Sequence, residues 1–138
     1  MNMKIKNGKI TITSQIAYIA GFFDGEGCVR IKISNQGGNS YHIIAHITNT
    51  NKAILEEVQK LFSGNIRMQE KGKNKTIYNW YITCYGASDF LKTLLPFLKE
   101  KKKQAELAIY FHENKDRMCA KTKEKHYKRM MLMKKVNL

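Results

Sequence analysis

The stretch IAYIAGFFDGEGCVRI, residues 16–31, changes character twice. Ile16, Ile19, Ala20 and Phe23 recur at helical spacing, and Ser14 stands where a helix N-cap is expected. After Gly27 the period becomes two, with Val29, Ile31 and Ile33 on one side and Cys28, Arg30, Lys32 and Ser34 on the other. At the junction Asp24 and Glu26 are set between glycines. Burying a polar group without a partner costs roughly 2–7 kcal/mol, so two acids at the end of an apolar helix need a reason to be there. Ala17, Gly21 and Gly25 share a further helix face. Gly inside a helix costs about 0.5–1 kcal/mol relative to Ala, so Gly21 points to close backbone approach by another helix.

Working outward, SNQGGNS (34–40) reads as a turn and YHIIAHIT (41–48) as the returning strand of a hairpin. In that strand His42, Ile44, His46 and Thr48 alternate with Tyr41, Ile43, Ala45 and Ile47. NKAILEEVQKLF (51–62) is a second amphipathic helix with Asn51 as its cap. NIRMQEK (65–71), the turn GKNK and TIYNWYITC (76–84) make a second hairpin, with Tyr78, Trp80, Ile82 and Cys84 on its inner face. Gly86, Ser88 and Asp89 introduce a helix carrying Phe90, Leu91, Leu94 and Leu95, whose end or restart Pro96 marks. KEKKKQAELAIYFHENK (99–115) starts another. The order predicts an α+β fold of two αββ units with a four-stranded antiparallel sheet, and a basic helical extension over 116–138 after a domain of 1–115.

The composition narrows the partners. The 25 Lys and Arg against 11 Asp and Glu leave a net charge of +14 on 138 residues, a field that gathers polyanions. One sheet face carries Arg30, Lys32, His42, His46, Arg67, Gln69, Lys71, Asn79 and Tyr81, and Cys28, Ser34, Ile44 and Thr48 share it by parity. Long polar side chains on a concave sheet suit base edges and phosphates, with Arg and Gln able to bond in bidentate fashion. The expected partner is nucleic acid, with the groove of double-stranded DNA suited to such a face, and no small-molecule cofactor is expected.

Other classes are disfavoured. Cys28, Cys84 and Cys119 are odd in number and have no C-x-x-C spacing, which fits free thiols in a reducing compartment. His42 and His46 on one strand lie about 13 Å apart at ~3.3 Å per residue, too far to share a zinc ion. No apolar run approaches the ~18 residues of a membrane span, and the basic start followed by IAYIAGFF lacks a signal-peptide cleavage site. The chain is expected to work inside a cell without a membrane, in an organelle such as a mitochondrion or chloroplast or in bacterial or phage-infected cytoplasm.

The segment IAGFFDGEG (19–27) resembles the motif of the LAGLIDADG homing endonucleases, keeping Gly21, Asp24 and Gly27 and carrying Glu26 for the final aspartate. With the αββαββα order and PFLKEKKKQA, the resemblance extends over residues 14 to about 115. It implies that motif helices of two units pack through their small faces, which gives Ala17, Gly21, Asp24 and Gly25 as interface residues. Asp24 is expected to be chiefly structural there. The resemblance makes Glu26 the catalytic, metal-binding acid with the Gly25 carbonyl as a further ligand, Asn49 the residue orienting the attacking water, and Lys101 the cation at the scissile phosphate. Lys99 and Lys103 are the alternatives for that lysine. The implied cofactor is Mg²⁺. A single motif copy implies a homodimer on a long, nearly palindromic target. The implied activity is double-strand cleavage leaving staggered ends. An intron RNA-binding maturase and a cleavage-inactive DNA-binding protein are the alternatives.

Overall fold

A computed structural model describes residues 9–34, 40–71 and 75–136. Helix α1 (Lys9–Glu26) leads into β1 (Gly27–Ser34) and β2 (Ser40–Asn49), followed by α2 (Lys52–Phe62). The second unit repeats the order with β3 (Asn65–Lys71), β4 (Lys75–Thr83) and α3 (Cys84–Leu94). A 3-10 turn at Leu95–Phe97 precedes α4 (Lys102–Asn114), and α5 (Ala120–Val136) ends the described chain. The strands form one antiparallel sheet in the order β1-β2-β4-β3, so each hairpin stays intact and the two meet along β2 and β4. This is the expected αββαββα architecture. The centres of the two turns, residues 35–39 and 72–74, lie outside the described residues.

One sheet face and the helices enclose the core. Val29, Ile31, Ile43, Ala45, Ile47, Trp80 and Ile82 point into it from the strands. Phe90 of α3 sits at its centre, edge-on to Phe23 (5.2 Å between centroids) and Phe62 (4.8 Å), and tilted against Trp80 (4.9 Å). The Trp80 indole N–H donates to the Ser63 carbonyl at 2.8 Å, which satisfies its one polar atom. That bond fixes the route between α2 and β3. Ser63 and Gly64 both take positive φ (69° and 89°), and a Cβ on Gly64 would stand 2.6 Å from the Trp80 indole nitrogen. Gly27 is constrained by packing instead, since a Cβ there would lie 2.2 Å from the Phe23 ring.

Four local expectations are corrected. Ser14 is not the cap of α1, because the helix already runs from Lys9 and Ser14 lies inside it. Cys84 leaves the inner strand face: its φ of 55° breaks the strand and it becomes the first residue of α3. Leu95 belongs to the 3-10 turn rather than to α3. Finally, α4 starts at Lys102, with residues 99–101 forming its approach. At the other end, α5 buries Met130 in the core and sets Tyr127 edge-on to Tyr41 at 5.9 Å.

Candidate nucleic-acid interface

Strand alternation places the expected residues on the second sheet face, and the register gathers them into cross-strand rows. Cys28, His46, Tyr81 and Asn65 stand in one row, and Thr48, Asn79 and Arg67 in the next. Arg30, Ile44 and Thr83 form a third, Lys32 faces His42, Ser34 faces Ser40, and Gln69 faces Ile77. Lys71 pairs with Lys75 at the far end of the second hairpin, and its side chain lies outside the described residues. Asn65, Ser40, Lys75, Ile77 and Thr83 share this face and were not assigned to the interface from the sequence. Counting by two from Arg67, His42 or Tyr81 reaches all of them.

Contacts within the face fix several side chains. The Thr48 hydroxyl donates to the Asn79 side-chain oxygen at 3.1 Å. The Arg67 guanidinium lies 5.1 Å from the centroid of the Tyr81 ring, a cation–π arrangement that holds the cation over the sheet. Ile44 is only 8% exposed although it points away from the core, so this part of the face is sheltered rather than open.

The same shelter acts on His46, whose Nδ1 is buried without a hydrogen-bond partner. Burial, followed by the charges of Arg30, Lys134 and Lys32, lowers its pKa to about 4. His42 is lowered by burial and then by Lys32 and Lys115. Near neutrality His46 therefore presents an uncharged imidazole on a basic sheet. The unfolded chain binds the His46 proton near pH 6.5 and the folded chain only near 4. Its stabilising share is complete above pH 6.5 and is lost as pH falls toward 4. Urea midpoints at pH 7 and pH 4.5 test this. His46→Gln should reduce the acid loss of stability by about 1 kcal/mol after allowance for solvent screening, and equal losses in both proteins would refute it.

The acidic end of α1 adjoins this face. The pairing of Gly27 with Ile47 brings the helix end alongside Thr48 and Asn49, the last residues of β2. Glu26 is exposed and, among the described residues, has no hydrogen-bond or ion-pair partner. Asn49 accepts the Asn51 N–H at 2.8 Å through its side-chain oxygen, and Asn51 in turn caps α2 by accepting from Ala53 at 3.0 Å. That turn uses the Asn49 carbonyl and leaves its NH₂ group outside the turn.

Asp24 is bonded in a different way from Glu26. Its Oδ2 accepts the backbone N–H of Lys99 (2.8 Å) and of Glu100 (3.1 Å), and its Oδ1 accepts that of Lys101 (2.9 Å). The Lys101 ammonium donates to the Asp24 main-chain carbonyl at 2.5 Å. Partial burial works to raise the Asp24 pKa, but the bonds from Lys101, Lys99 and Glu100 together with the Lys101 charge outweigh it and hold the carboxyl below its usual value. Both oxygens of this carboxylate are thus bonded to the chain's own backbone. Of the three lysines considered, Lys101 is the one whose ammonium is bonded to the helix end. Lys99 and Lys103 are exposed.

On the outward side of α1, a Cβ built at Gly21 or Gly25 meets nothing within 4 Å. Ala17 is half-buried, while Tyr18 is exposed and stacks on Phe22 with 6.4 Å between ring centroids. Among the described residues nothing packs on Gly21 or Gly25, while Ala17 is partly covered.

A family model described as LAGLIDADG endonuclease matches residues 19–106. A comparison with curated protein sequences gave no match. Among solved structures, the homing endonuclease I-CvuI in complex with the I-CreI target superposes with a TM-score of 0.77 at 20% identity, over 91% of this chain and 85% of that one. The archaeal intron-encoded homing endonuclease I-Vdi141I, complexed with DNA, gives 0.72 at 20% identity, over 88% and 85%. The LAGLIDADG homing endonuclease I-GzeII, in complex with a DNA target, gives 0.62 at 18% identity, over 86% of this chain but 43% of its own length. At these identities the likenesses establish a shared fold.

Proposed function

Because this chain belongs to the LAGLIDADG endonuclease family, matched over more than half its length, we propose that it is a homing endonuclease acting as a homodimer on a long, nearly palindromic DNA target. The observation that carries the reading is that the end of α1 bears Glu26, an exposed acid with no partner among the described residues, and, two residues before it, the Asp24 main-chain carbonyl to which the Lys101 ammonium is tethered, beside a basic sheet face. Phosphodiester hydrolysis needs a negative group to hold cations and a positive group to meet developing charge, within reach of a bound backbone. In this reading residues 1–115 form the endonuclease unit, and 116–138 are a helical extension of the same domain.

The donor set fits a divalent ion only when two chains contribute. Among the described residues no three His, Cys, Asp or Glu side chains gather, and the Asp24 oxygens already accept backbone N–H groups. One chain thus offers Glu26 and the Gly25 carbonyl. Magnesium is commonly held by one or two carboxylates with phosphate oxygens and water, so Glu26 from each of two chains would hold it in company with DNA. When bound, such ions make a nucleophile of water and stabilise the leaving oxygen. Asn49 would orient that water by donating from its NH₂ group. Lys101 would stabilise charge on the phosphate. Arg30, Lys32, Arg67 and Gln69 would lie toward the groove, with His42, His46, Asn79 and Tyr81 between them.

Incubation with a randomised DNA library and magnesium, followed by sequencing of the ends, tests the proposal. The expected result is one enriched, nearly palindromic sequence with staggered ends. Tight DNA binding with no cut ends under any divalent ion would overturn it in favour of a cleavage-inactive binding protein.

A further inference from the structure

Asp24 does more than end a helix. Three successive backbone N–H groups, from Lys99, Glu100 and Lys101, converge on its carboxylate within 2.8–3.1 Å. They form an anion-binding nest, the arrangement proteins use to seat phosphates, filled here by a side chain distant in sequence. Lys101 is the residue before α4 and has no side-chain cap of its own, so the α1 carboxylate acts as an external cap at the positive end of that helix. The same residue supplies its main-chain carbonyl to the Lys101 ammonium. Backbone and side chain of Lys101 are therefore both held by Asp24, across 77 positions of sequence.

A lysine on an exposed loop ordinarily samples many rotamers, and ordering it costs up to ~2 kcal/mol. Here that cost is met before any ligand arrives. We infer that Asp24 is a positioning residue for Lys101, fixing its ammonium two residues from Glu26 so that one rigid junction carries both the acid and the cation. The inference rests on the endonuclease reading for its catalytic consequence, but not for the positioning itself. Because the loop contributes main-chain donors, exchanging side chains at 99 or 100 leaves the cradle intact, whereas a change at Asp24 removes its anion.

The experiment is a double-mutant cycle of Asp24→Asn, Lys101→Met and the pair, with single-turnover cleavage, DNA affinity and thermal midpoint measured on each. Loss of a residue that orients a functional group typically costs 10–100-fold, so D24N should cleave about 10–100 times more slowly with DNA affinity within about twofold. In the K101M background the same change should cost less than about twofold. Equal costs in the two backgrounds would overturn the inference, because Asp24 would then act without Lys101. Lysine side-chain ¹⁵N NMR supplies a readout independent of cleavage. An ordered ammonium signal, assigned by its loss in K101M, should be present in the wild type and absent in D24N. Persistence of that signal in D24N would also refute the positioning role. If the wild type cuts no DNA, the endonuclease reading fails while the NMR arm still decides the positioning. Should D24N not fold, Asp24→Glu, which keeps the charge and moves it by one methylene, is read in the same way.

Discussion

Glu26→Gln is expected to abolish cleavage while leaving DNA binding at or slightly above the wild-type level. Glu26 is exposed and makes no hydrogen bond or ion pair among the described residues, so the amide removes nothing that holds the fold together. Its thermal midpoint should stay within about a degree of wild type, in line with the near-neutral effect of most surface substitutions. Binding should not weaken, because the exchange deletes a negative charge from a surface that must approach phosphates. Cleavage should fall by at least roughly 100- to 1,000-fold, the loss seen when a single preorganised electrostatic group is removed from an active site. In the proposed homodimer symmetry enlarges the effect, since each chain loses its acid. Single-turnover nicking of a supercoiled target, run beside a binding titration, separates the two quantities. If E26Q nicks at the wild-type rate, the acid is not catalytic. If it loses binding and cleavage together, Glu26 serves the DNA contact instead.

The sequence carried the sheet faces well because strand parity is local information. Every residue expected on the polar face stands there by register, from Cys28 on β1 to Tyr81 on β4. The core stripe of α1 was equally legible in the spacing of Ile19, Ala20 and Phe23, which are buried. Helix ends were harder to read. KITITS alternates isoleucine with threonine at a period of two, a strand-like pattern, yet it continues α1 back to Lys9, and its exposed residues 12–14 give the helix no apolar face to be read there. Cys84 follows the strand pattern until a positive φ turns it into α3. The approach to α4 has no local signal at all, because the carboxylate that organises it comes from Asp24. For the same reason the family resemblance gave Asp24 a structural part, while its hold on Lys101 needed coordinates.

Gly21→Leu should convert the proposed dimer into monomers without destabilising the chain. Among the described residues a Cβ at Gly21 meets nothing within 4 Å and the position is exposed, so a larger side chain there starts into open space. Replacing an interior helical glycine also removes a penalty of about 0.8–1.0 kcal/mol, so the monomer should be unchanged or slightly more stable. The consequence reverses if two α1 helices meet through the stripe of Ala17, Gly21 and Gly25. Overpacking a close contact costs about 1–3 kcal/mol, and a two-fold interface contains the substitution twice. The combined ~2–6 kcal/mol would weaken association by roughly 30-fold to more than 10,000-fold. Sedimentation velocity over a dilution series measures the association, and a thermal melt at low concentration measures the monomer. Cleavage should fall with the dimer, because one chain supplies only one free acid for the pair. Two results would sink the idea: wild-type dimerisation in G21L, which would move the interface elsewhere, or a large drop in monomer stability, which would mean the stripe packs within the chain. The test is selective because most interface substitutions also disturb their own fold, whereas at Gly21 the local and intermolecular effects have opposite signs.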